Sequence, residues 1–216
     1  MIIADMDTLA AFWADAQSRR ETCVRCEFSP DLSARMNDAA LAEALVTGLP
    51  MVQGIQHRII RSRGQGTVLT AKLRYRDGVR MLGGSALTTQ EVSAMIAAQQ
   101  IAAEAMSLGS EEACFRHLYN WLCCHVRYVH TAPGRKDYAR LVCASGALLD
   151  KKANCQGFAD ALYLLCGLCG ISCEYRIGRG KRRLHVWNAV RLNSEWREVD
   201  ASKGAKEYNQ RKTASP

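Results

Sequence analysis

Asn154-Cys155-Gln156-Gly157-Phe158-Ala159 is the stretch on which the reading of this chain turns. A cysteine stands where an irregular segment gives way to an apolar pattern of helical period. Cys155, Phe158, Leu162, Leu165, Cys166 and Cys169 share one face of that predicted helix, and Gly170 is placed to end it. Asn154 is a good N-cap, which puts Cys155 in the first turn. There, unpaired N–H groups and the helix dipole favour a thiolate over a thiol. A nucleophilic thiolate needs a base, and the base needs an acceptor to orient it.

Downstream, Leu184-His185-Val186-Trp187-Asn188-Ala189-Val190-Arg191-Leu192 reads as a strand, and Trp196-Arg197-Glu198-Val199-Asp200 as the next. The break at Asn193-Ser194 invites an antiparallel hairpin. If Leu192 pairs with Glu195, His185 lies opposite Ser202. Asp200 is then its diagonal neighbour, roughly 7 Å away between Cβ atoms. A one-residue slip would turn Asp200 to the other face. Cys155, His185 and Asp200 are thus the candidate nucleophile, base and orienting acid. A third strand is expected over 171–177.

Working outward, residues 5–20 predict an amphipathic helix through Met6, Leu9, Phe12, Trp13 and Ala16. Alternation of Val24, Cys26 and Phe28 with Arg25 and Glu27 predicts a half-buried strand, broken by Ser29-Pro30-Asp31. A second helix is expected over 35–47, and a β-hairpin over 55–62 and 66–76. Thr88 and Glu91 have capping-box spacing and open a helix from about 90 to 107. Another, capped by Ser110, covers about 110–126, with Cys114, Leu118, Trp121, Leu122 and His125 on its apolar face. Residues 128–142 read as a polar loop and 144–149 as a helical turn. The expected organisation is an α+β region over 1–85, a catalytic domain over 86–202 and a loosely held polar tail over 203–216.

The bulk properties exclude several classes. The 216 residues are 48% hydrophobic, enough for a packed core, and no apolar run approaches a membrane span. The first residues lack a secretory leader, so a cytoplasmic protein with reduced thiols is expected despite ten cysteines. The net charge of +8 is dispersed apart from the run Arg176–Arg183, and no stacking aromatics interleave with it. Neither nucleic acid nor membrane is therefore an expected partner. The stretch Arg179–Arg183 could draw an acidic substrate, or simply be a solvated turn. Cys166 and Cys169 continue an apolar helix face and read as packing. Cys23 and Cys26 point to opposite faces of a strand, which argues against a shared ion. Cys123-Cys124-His125 reads likewise as structural. No metal and no cofactor are expected.

Taken together, the Asn154–Ala159 stretch, His185-Val186-Trp187-Asn188 and Trp196–Asp200 resemble the three core motifs of the transglutaminase-like superfamily. The resemblance covers roughly residues 90–202. It implies an α+β, papain-like core in which a helix bearing Cys packs on an antiparallel sheet bearing His and Asp. It implies acyl transfer through a thioester, with Cys155 attacking a peptide or carboxamide carbonyl, His185 shuttling the proton and Asp200 holding the imidazole. The Cys155 backbone N–H is the expected oxyanion donor, with Gln156 and Trp187 as candidate substrate or oxyanion contacts. Animal members carry Trp directly after the nucleophile, where this chain has Gln156, and they use calcium sites of which no acidic loop pattern is visible. Both departures favour a bacterial, hydrolase-like branch: a cysteine peptidase or amidase acting on a protein or peptide substrate. An amine-accepting transglutaminase and a catalytically silent binding module of the same fold remain open as alternatives.

Overall fold

A computed structural model describes residues 1–62, 66–84, 86–179 and 184–214. The chain forms two compact units, Met1–Arg76 and Asp77–Pro216. The division falls upstream of the boundary expected near residue 85, because the segment just after Arg76 belongs to the second core.

In the first unit β1 (Ile2–Ile3) leads into α1 (Met6–Ser18), which Asp5 caps through Thr8 N–H at 2.7 Å. Then come β2 (Cys23–Phe28), α2 (Pro30–Arg35), α3 (Asp38–Gly48), β3 (Val52–Ser62) and β4 (Gly66–Tyr75). The sheet order is β1-β2-β4-β3. β2 alternates exposed and buried as expected, with Val24, Cys26 and Phe28 inside. Cys23 is exposed and Cys26 buried, so the two thiols do face apart. The helix expected over 35–47 is α3, which starts at Asp38, and α2 is a further, unexpected short helix in front of it. Ser29 accepts from Leu32 N–H at 3.2 Å, and Pro30 occupies the first helical turn, where its missing N–H costs nothing. Pro30 therefore starts α2 rather than merely breaking the preceding strand.

The second unit begins with α4 (Asp77–Leu82), α5 (Thr89–Met106), α6 (Glu111–His125) and β5 (Arg127–Tyr128). It continues with α7 (Tyr138–Leu141), α8 (Ala144–Leu149), β6 (Lys152–Ala153) and α9 (Cys155–Leu168), and ends in β7 (Cys173–Arg179), β8 (Leu184–Leu192), β9 (Glu195–Val199) and α10 (Ala201–Ala214). The Thr88/Glu91 capping box forms at α5, with bonds of 3.2 and 2.7 Å. On α6, Cys114, Leu118 and Leu122 are buried as expected, but His125 is exposed and Cys123 takes the inward position.

The core of this unit is built around α9. Phe158, Ala161, Leu162, Leu164, Leu165 and Cys166 are all at most 1% exposed, so the helix is surrounded on nearly every side. The three-stranded antiparallel sheet β7-β8-β9 provides one wall, with Val190 and Leu192 in the same apolar cluster. Burying each such Leu contributes roughly 1.5–3 kcal/mol, which fixes the helix that carries Cys155. β8 and β9 pair in the register Leu192↔Glu195 through Asn188↔Val199. Asn193 and Ser194 both take positive φ, 50° and 70°, the conformation of a tight two-residue hairpin turn.

The polar tail is the clearest departure from expectation. Residues after 200 form α10, whose Ala201 and Ala205 are buried in the same core as α9. Its small residues, not large apolar ones, make the contact, so the sequence reads as polar throughout. Among the described residues no helix is long and apolar enough to cross a membrane.

Candidate active site

Cys155 opens α9 and is half-buried. Asn154 caps the helix as expected: its Oδ1 accepts from the N–H groups of Gln156 and Gly157 at 3.0 and 3.3 Å. The Asn154 N–H in turn donates to Leu141 O at 2.9 Å. Gly157 permits this approach, since a Cβ there would lie 2.5 Å from the same carbonyl. The end of the helix that presents the sulfur is therefore pinned by backbone on both sides. As the first helical residue, Cys155 has an N–H with no acceptor inside the helix.

His185 sits near the start of β8, and its Nε2 lies 2.8 Å from Asp200 Oδ2. The same ring acts on the Cys155 side chain, and each group shifts the other's titration. Asp200 lies one residue beyond β9 rather than within it. Its second oxygen, Oδ1, accepts from Ser202 Oγ at 2.7 Å and Lys203 N–H at 3.0 Å. One carboxylate thus orients the imidazole with one oxygen and caps α10 with the other. Tyr119 Oη also donates to the Asp200 carbonyl at 3.3 Å. The expected hairpin register holds, but Asp200 reaches His185 from the strand-to-helix junction.

Burial pushes the Cys155 thiol up, yet hydrogen bonds from His185 and the backbone N–H groups of Val186 and Gln156, with the charge of His185, bring it below the ordinary thiol value. Burial instead raises Cys26 and Cys123 to about 11 and Cys143 and Cys169 to about 12. Of these five thiols only that of Cys155 moves down. His185 is pushed up to about 9, first by its bond to Asp200 and then by Cys155, against the opposing effect of burial. Burial also raises Asp200, but the bonds from His185, Ser202 and Lys203 outweigh it, and the carboxyl stays below its usual range. At neutral pH Asp200 is a carboxylate and His185 carries a proton, a pairing that favours the thiolate form of Cys155. Such a set can attack an acyl carbon and protonate a leaving amine.

The two further candidates face different surroundings. Gln156 Nε2 donates to Tyr138 Oη at 3.1 Å, so its amide is tied to α7. Trp187 stacks on His185, with ring centroids 5.7 Å apart and planes 18° from parallel. Its Nε1–H donates to Glu198 Oε2. The basic run places Arg179 at the end of β7; Gly180–Arg183 lie outside the described residues.

Asp160 is a structural residue that the motifs do not flag. It is 0% exposed and accepts from Gly78 N–H at 3.0 Å, Ala144 N–H at 2.8 Å and Tyr175 Oη at 2.7 Å. It ties α9 to α4, α8 and β7. A signal for it exists in the sequence: a lone carboxylate among Phe158, Ala159, Ala161 and Leu162 must find buried donors. Ser202, expected only as a register partner of His185, holds Asp200 through its hydroxyl. Among the described residues no group of three or more His, Cys, Asp or Glu is placed to hold a metal ion.

Residues 97–201 match the transglutaminase-like superfamily. Kyphoscoliosis peptidase of Homo sapiens is 30% identical over 102 residues, 42% of this chain and 15% of the relative. The Mus musculus protein is 29% identical over the same length and shares. The chain thus covers only a small fraction of these relatives. Among solved structures, a TGase is similar at TM-score 0.47 and 13% identity, covering 82% of this chain and 50% of that one. The periplasmic domain of TgpA from Pseudomonas aeruginosa is similar at TM-score 0.43 and 14% identity, covering 67% and 59%.

Proposed function

Residues 97–201 are a transglutaminase-like domain, and from that premise we propose that this chain is a cysteine hydrolase that cleaves a peptide or carboxamide bond through a thioester. The observation that carries the reading is the His185 ring, held by Asp200 at 2.8 Å through Nε2, together with the Cys155 thiol at the start of α9, which that ring brings below the ordinary thiol value.

The Cys155 thiolate attacks the acyl carbon and forms a C–S bond. The displaced electron pair rests on oxygen, with the Cys155 N–H as a donor to it. His185 gives its proton to the departing nitrogen, and the C–N bond breaks to leave a thioester. Water then attacks the thioester. Neutral His185 takes its proton, the C–S bond breaks, the acid departs, and the thiolate–imidazolium pair is restored. Asp200 keeps the imidazole in the tautomer and orientation both steps require. A primary amine in place of water would give transamidation with the same residues.

The test is incubation of the chain with a glutamine-containing protein and a primary amine, with mass analysis of both partners. Hydrolysis or deamidation in excess of amine incorporation, absent in Cys155→Ala, is the expected result. Amine incorporation exceeding hydrolysis would replace the hydrolase with a transferase. No product with any acyl substrate, together with a Cys155 no more reactive than a free thiol, would leave a binding module.

A further inference from the structure

Trp187 does more than lie beside His185: its position is set from two sides. From β7, Gly178 stands opposite His185 in the pairing register, and a Cβ there would come within 2.8 Å of the indole. The indole therefore occupies the space over Gly178 that any other residue would fill. From β9, Glu198 accepts the indole Nε1–H through Oε2. Glu198 is itself held by Arg176, whose Nε lies 3.4 Å from Oε1. Arg176 is directly opposite Trp187 across the sheet and also pairs with Glu174 at 2.6 Å.

From this geometry we infer that Glu198 is a positioning residue for the reaction, acting on His185 through Trp187. Glu198 fixes the indole by its N–H, and the indole face, nearly parallel to the imidazole, limits rotation of that ring. The ring of histidine has a broad torsional preference about its outer bond, so a neighbour has to set it. The hydrogen bond of His185 to Asp200 and its action on Cys155 both depend on the plane of that ring. An aromatic face over the ring also favours its cationic form. Glu198 touches none of the reacting atoms. The charged groups around the His185–Trp187 pair are Cys155 from α9, Asp200 beyond β9, Glu198 from β9, and Arg176 and Glu174 from β7. This inference rests on the catalytic reading of Cys155 and His185, but its test does not need the substrate.

The experiment measures the iodoacetamide alkylation rate of Cys155 in the full chain between pH 4 and 10, resolved by peptide mass analysis. Wild type is compared with Glu198→Ala and Glu198→Gln, each first shown to keep the parent's melting temperature within a few degrees. Glutamine keeps a carbonyl acceptor for the indole but loses the ion pair with Arg176. The expectation is that Glu198→Ala slows alkylation at neutral pH about threefold to tenfold, the scale of one aromatic pair. It should also move the limb set by His185 to lower pH, and Glu198→Gln should restore most of both. The indole N–H proton resonance of Trp187 should shift in Glu198→Ala and return in Glu198→Gln. Identical profiles for wild type and Glu198→Ala would overturn the inference. Equal losses in Ala and Gln would also overturn it, since the carboxylate would then act through its charge. If wild-type Cys155 titrates as an ordinary thiol, unchanged by His185→Ala, the catalytic reading itself has failed, and that result is distinct from the other two.

Discussion

A single proton on His185 links three residues whose ordinary values lie far apart. Because His185 is raised to about 9, its contribution to stability is full below the ordinary imidazole value and is lost as pH rises through about 9. Asp200 is lowered, so its contribution is full above the ordinary carboxylate value and is lost as pH falls below it. Activity should therefore follow a bell, with an alkaline limb near 9 and an acid limb below the ordinary thiol value. Asp200→Asn removes the largest cause of the raised imidazole, and its alkaline limb should shift to lower pH. Its turnover should fall by about 10²–10⁴-fold, the range for losing an oriented acid–base group. A rate–pH profile of both proteins checks the pair of expectations. An unmoved limb in Asp200→Asn would detach Asp200 from the ring.

At the level of elements, two helix starts carry the chemistry. Asn154 begins α9 and Asp200 begins α10, and each spends a side-chain oxygen on capping N–H groups. Asn154→Ala should lower stability by about 1 kcal/mol, measured by denaturant unfolding, and should raise the Cys155 thiol by loosening the first turn. α10 is also part of the core. Truncation after Asp200 would uncover the surfaces that Ala201 and Ala205 bury and remove the Ser202 and Lys203 donors from Asp200. The truncated chain should melt well below the parent, and its Cys155 should alkylate more slowly at neutral pH. An unchanged melting temperature would mean that α10 is dispensable.

For the second unit as a whole, Asp160 marks where its chain must begin. Its carboxylate accepts from Gly78, Ala144 and Tyr175, and Ser145 Oγ donates to Asp77 Oδ2 at 3.1 Å. A fragment starting at Asp77 should fold cooperatively and keep the low thiol of Cys155. One starting at residue 86 loses the Gly78 donor and α4, and should be less stable by upward of about 1–3 kcal/mol. Asp160→Ala in the full chain strands three donors in the core and should cost more than about 3 kcal/mol, by calorimetry or denaturant unfolding. Equal stability of the two fragments would place the boundary where composition alone puts it.

Local chemistry is legible in the sequence. An Asn before a Cys before an apolar helical period specifies α9, its cap and its thiol, and the strand-forming runs on either side of Asn193-Ser194 specify β8 and β9. Asn193-Ser194 sets the register that brings Asp200 near His185, because side-chain period and turn type are properties of a few adjacent residues. Whatever depends on distant partners is not legible. α10 reads as a tail because its buried face is made of alanines, whose burial only the opposing helix reveals. Pro30 reads as a break because the same residue can end a strand or open a helix. Asp160 looks misplaced because its donors come from residues 78, 144 and 175, and Glu198 looks like surface because its partners lie on the other two strands of the sheet. The candidate nucleophile, base and acid were determined by the sequence alone. Which groups hold them in place was decided by the tertiary structure, because hydrogen bonds that orient a buried ring come from chain segments far apart in sequence.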